Sequence, residues 1–120
     1  MKTAKSLLLF IAAPALLLSA CSGAISDHAV AACSEAEQAN SFLMGNDLPS
    51  AYAKIQGARL EAFEAANVAN KHQPLLDALN QAEFFMGVKG LDASQKSIQI
   101  AEAMSAVLLE CEAIGVEWQP

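Results

Sequence analysis

The sequence predicts an all-α fold, a small up-down bundle of about four helices. Three observations carry this expectation. Between Ala29 and Ile114, apolar residues recur at three- and four-residue steps in four separate stretches, which is the spacing of one helical face. No stretch alternates apolar and polar residues far enough for a strand, and β-branched residues are sparse. The stretches are joined by connections of three to six residues, short enough to link antiparallel neighbours.

The first helix takes its cap from Ser26 or Asp27 and runs to about Phe42. Ala29, Cys33, Ala36, Ala39 and Leu43 form its inner stripe, and Gly45-Asn46-Asp47 makes the turn that follows. Pro49 suits the first turn of the second helix, where its missing N–H is no loss. That helix reaches about Asn70 on a stripe of Ala51, Tyr52, Ile55, Ala58, Ala62, Ala65, Ala66 and Ala69. Small residues let helices approach closely but bury little area each. Gly57, inside this helix, should cost about 1 kcal/mol relative to alanine; it reads as a close-contact site or a weak point.

The third helix opens at Pro74, ends near Met86, and turns Leu75, Ala78, Leu79, Ala82, Phe85 and Met86 inward. Phe84 lies off that stripe. A glycine of Gly87-Val88-Lys89-Gly90 is expected to supply a left-handed C-cap. Asp92-Ala93-Ser94-Gln95 then reads as a capping box, with Asp92 at the N-cap and Gln95 three positions on. The fourth helix continues through Ile100, Met104, Val107, Cys111 and Ile114, with Ala101 and Leu108 beside them, to a stop at Gly115. Val116–Pro120 is a tail.

Ahead of the bundle, Lys2 and Lys5 precede an apolar run from Leu7 to Leu18 that is interrupted by Pro14. This is the charged, apolar and small-residue order of a secretory signal peptide. The run is shorter than the roughly 20 apolar residues a bilayer core requires, which disfavours an uncleaved membrane helix. Leu18-Ser19-Ala20-Cys21 resembles the lipobox of bacterial lipoprotein precursors. The resemblance implies cleavage between Ala20 and Cys21, and Cys21 as the lipid-modified first residue of the mature chain. Two or more acyl chains, palmitate among them, would hold the domain stably on a membrane, where one chain holds only marginally. The expected organisation is a signal peptide over residues 1–20, lipidated cysteine and tether over 21–26, helical domain over 27–115 and tail over 116–120. Ser22 follows Cys21 where Gram-negative inner-membrane lipoproteins carry a retaining aspartate. The location implied is therefore the extracytoplasmic side of a cell membrane or outer membrane.

With Cys21 assigned to lipid, Cys33 and Cys111 remain as an even pair in an oxidising compartment, which predicts one disulfide. In an up-down bundle the start of the first helix and the end of the fourth share a pole, so the bond is geometrically possible. There is no C-x-x-C, haem-attachment or zinc spacing.

All thirteen acidic residues lie beyond Cys21 but only five of the seven basic ones, so the mature chain carries a net charge of −8. Such a surface repels phosphate backbones, and no nucleic-acid partner is expected. His28 and His72, placed on the first turn of a helix and in an exposed loop, form no metal-ligand pattern. Glu61 with Glu64, and Glu110 with Glu112, read as solvated faces. No serine sits in a G-x-S-x-G context, and Arg59 is the lone arginine. Met44, Met86 and Met104 read as core filling, not as haem or copper ligands. No cofactor, metal or catalytic residue is expected.

Tyr52 and Trp118 are the candidate partner contacts, since aromatic side chains dominate binding hot spots. Trp118 is expected to fold back over the pole near the disulfide or to stand exposed. The functional expectation is a non-enzymatic binding or accessory lipoprotein serving another envelope protein. Its plan is similar to that of helical pilotin lipoproteins, which also pair small bundles with a disulfide. A toxin-immunity inhibitor belongs to the same binding class. A small-ligand carrier, requiring a cavity among the helices, is the alternative, followed by an enzyme of unrecognised type.

Overall fold

The computed structural model describes residues 26–118. The expected signal peptide and lipidation site, Ala20 and Cys21 included, lie outside the described residues. Within them the chain is all-α, with four helices and no strand: α1 (Asp27–Met44), α2 (Leu48–Val68), α3 (Gln73–Gly87) and α4 (Ala93–Ala113). A short 3₁₀ turn, Asn70–His72, links α2 to α3.

Each start is held by local chemistry. Ser26 Oγ accepts from the His28 N–H at 3.2 Å, Asp47 Oδ1 from Ser50 at 3.2 Å, and Asp92 Oδ1 from Gln95 at 2.7 Å. Prolines sit in the first turns of α2 and α3. Between α1 and α2 it is Asn46, at φ 61°, that takes the left-handed conformation. The expected glycine cap on α3 is corrected: Val88 caps it in extended backbone, and the left-handed residue is Gly90 in the loop. Gly87 itself stays helical, as the last residue of α3, with the Tyr52 ring lying across it.

Cross-helix pairs fix the up-down order. His28 lies against Glu61 and Glu35 against Gly57, so α2 runs antiparallel to α1. Arg59 Nε meets Glu83 Oε1 at 2.7 Å and Tyr52 covers Gly87, so α3 reverses again. The Cys33–Cys111 disulfide closes the circuit, with Cα atoms 5.8 Å apart.

Packing divides the core into two unlike halves. Buried positions of α1 are four alanines and Cys33, and those of α2 are alanine except for Ile55. In α3 and α4 the interior holds Leu75, Leu76, Leu79, Met86, Ile100, Met104 and Val107. The alanine faces of α1 and α2 draw those helices close together. The same small residues leave α1 with little side-chain bulk to extend towards α4. The first and last helices accordingly meet only briefly, around the disulfide.

Candidate binding groove

Beyond the disulfide the space between α1 and α4 is a groove of about 590 Å³, within the range of roughly 300–1,000 Å³ typical of small-molecule sites. One wall is the end of α1, with Leu43 and Met44, continued by Leu48 at the head of α2. The other is the face of α4 that bears Lys96, Ile100, Met104 and Leu108. Ile100 and Met104 are buried floor residues, while Leu108 is half-buried on the side.

Trp118 reaches the groove because the chain reverses after α4. Gly115 at φ 95° allows the Val116 N–H to bond Cys111 O at 2.9 Å and its own N–H to bond Glu112 O at 3.0 Å. This paired closure is a Schellman motif, in which glycine supplies the left-handed step. The tail then packs Val116 and Trp118 against the core. Trp118 Nε1 is buried and has no hydrogen-bond partner. An indole N–H so placed ordinarily finds an acceptor.

The other sequence candidates fall elsewhere. Cys33 and Cys111 are fully buried in their disulfide and do not line the groove. Tyr52 is half-buried at the α2–α3 contact and does not line the groove, so the two aromatic candidates are not brought together. His28 is exposed, its Nδ1 3.3 Å from both carboxylate oxygens of Glu61. His72 corrects the expectation of an exposed loop residue: the 3₁₀ turn winds it inward, to 1% exposure. Neither ring nitrogen of His72 has a partner. Burial, and secondarily the charge of Lys71, holds its pKa below the ordinary value, keeping the ring neutral.

Met86 and Met104 fill the core as expected, but Met44 does not. It stands 79% exposed on the lip of the groove, with its sulfur 3.8 Å from Asn40 Nδ2. Phe84 is exposed and packs edge-on against Phe85 at 5.2 Å. Among the described residues no group of three His, Cys, Asp or Glu side chains could hold a metal ion. Nor is any described helix long and apolar enough to cross a membrane.

Sequence reasoning passed over Leu43, Met44, Leu48 and Lys96 as site residues. The signal within reach was the breadth of the apolar face on α4, where Ala101 and Leu108 widen the stripe beyond what one neighbour covers. Both line the groove. Compared with protein-family models, with curated proteins and with solved structures, the chain finds no match in any of the three.

Proposed function

We propose that this chain is a non-enzymatic binding module, tethered through lipid on Cys21 to the extracytoplasmic side of a membrane, where it serves another envelope protein. The observation that carries the reading is the α1–α4 groove. It combines an apolar floor and an exposed methionine lip with a returning tryptophan, so that one aromatic and several flexible aliphatic groups converge on one accessible surface.

The test is site-specific photo-cross-linking in intact cells, using the full lipidated chain with the reactive group at Met44 or Leu108. Leu60, exposed on α2 outside the groove, is the control position. A single stoichiometric protein adduct from the groove positions, weakened by Trp118→Ala and absent from Leu60, is expected. Equal labelling from all three positions counts against the groove as the contact.

A second reading, a small-ligand carrier, is favoured by the groove's volume and by its mostly apolar lining. A preformed recess with an apolar lining and a few polar groups is the ordinary form of a small-molecule site. Native mass spectrometry of the chain released gently from its membrane distinguishes the two, since a carrier retains a bound small molecule.

A further inference from the structure

The lining of the groove departs from the rest of the molecule in its charge. Acidic residues outnumber basic ones thirteen to seven in the chain, yet among the described residues no Asp or Glu side chain lines the groove. Among the described residues its one charged lining side chain is Lys96. The Lys96 ammonium is steadied by donating to the Val88 carbonyl at 3.1 Å. An ammonium has three donors, so two remain for a ligand. Ser97, beside it in sequence, contributes a hydroxyl to the same lining.

The remaining walls are mostly aliphatic, and they run along α4 from Ala93 to Leu108, a length of about 22 Å at the helical rise. An open, mostly apolar lining drawn out along one helix offers an extended chain continuous contact over its length. The charge sets the head group. A cation amid apolar walls rejects a cationic amphiphile and gains from an anionic one by a charge-assisted hydrogen bond. The head is singly charged, because multiply charged phosphates draw on several cations or an arginine fork. The lone arginine, Arg59, is engaged with Glu83 elsewhere.

Resting on the carrier reading of the groove, we infer that it binds a single-chain anionic amphiphile of the alkyl carboxylate class. The carboxylate sits on Lys96 and the chain lies over Ile100, Met104 and Leu108 towards Trp118.

Trp118 is the sole tryptophan of the chain, so its emission reports the groove directly. The experiment titrates 12-bromododecanoate into the full chain held in nanodiscs and follows bromine quenching of Trp118. The trimethylammonium amphiphile of equal chain length and bromine position runs beside it. Saturable quenching by the carboxylate is expected, with the ammonium compound binding about tenfold more weakly or worse. Lys96→Met should abolish that preference and Lys96→Arg should restore it. Equal binding of both heads, or a Lys96→Met variant that still prefers the carboxylate, overturns the anionic assignment and leaves the carrier reading standing. The head-group comparison on the unmodified chain decides the matter even where Lys96→Met fails to fold. No saturable quenching by either amphiphile overturns both. Trp118 emission that follows protein concentration instead would assign the groove to a second copy of the chain, and a protein adduct at Leu108 without quenching would assign it to a partner segment.

Discussion

Cys33 and Cys111, 78 residues apart in sequence, join the first helix to the last where the two approach each other, and the groove opens immediately beyond them. Closing a loop of that length is worth about 4–5 kcal/mol in the chain-entropy model. Among the described residues, twelve of the 22 buried apolar ones are alanine, so hydrophobic burial per residue is small and the bond carries a large share of the stability. Denaturant unfolding of the Cys33→Ala/Cys111→Ala pair should show a loss of about that size. A loss under about 1 kcal/mol would mean that α1 and α4 hold together without the bond.

Gly115 directs the tail into the groove. Alanine at its φ of 95° is strained by about 1–2 kcal/mol. In Gly115→Ala, either the domain loses that much stability or the Schellman turn opens and Trp118 leaves the core. The second outcome reads as a red-shifted Trp118 emission, so fluorescence and denaturation measured together separate the two.

Two helical glycines should answer alanine substitution in opposite directions. At Gly57 the new methyl meets only the Glu35 carboxylate, the free end of a flexible side chain that can swing into water. Gly57→Ala should therefore gain nearly the full helix propensity, about 1 kcal/mol. At Gly87 the methyl meets the Tyr52 hydroxyl at 2.9 Å and its ring atoms Cε1 and Cζ at 3.3 Å, and the half-buried ring packs against the core. Overpacking there should destabilise by about 1–3 kcal/mol. Thermal unfolding checks both: a domain of this size moves by about 4–8 °C per kcal/mol.

His72 makes stability depend on pH with a defined sign. Its folded-state pKa lies below the ordinary 6.5, first because of burial and second because of Lys71. Above 6.5 the ring is neutral in both states and contributes no pH dependence. As pH falls below 6.5 the unfolded chain takes up the proton first, and stability drops until the lowered folded pKa is reached, where the curve flattens. His72→Leu should remove that drop. Denaturation midpoints of the two proteins between pH 7.5 and pH 5 give the comparison, and parallel curves would count against the effect.

Much of the architecture was legible in the residues because helix formation is local. The three- and four-residue steps place Ile55, Leu79 and Val107 inside, and Asp92 and Gly115 act on backbone groups within a turn of themselves. The cysteine pairing followed from setting Cys21 aside, and helix count and direction then placed Cys33 and Cys111 at one pole. His72 escaped, because the residues flanking it read as a connection and nothing local records how a 3₁₀ turn directs the ring. Met44 escaped for a related reason: periodicity says which face a residue shares, not whether a neighbour reaches it.

The groove was legible only in part. Alanines along α1 and a broad apolar face on α4 are both plain in the chain, but they lie some 60 residues apart. Residue order determines which side of each helix turns inward, how each helix starts and stops, and which cysteines can meet. The distance between two inward faces is a property of neither stretch. It comes from close α1–α2 contact on alanine competing with bulky α3–α4 contact on leucine, isoleucine and methionine, with the disulfide tying the ends. That competition leaves the groove open and brings Lys96 and Trp118 to the same lining, because packing balances side-chain volumes from all four helices at once.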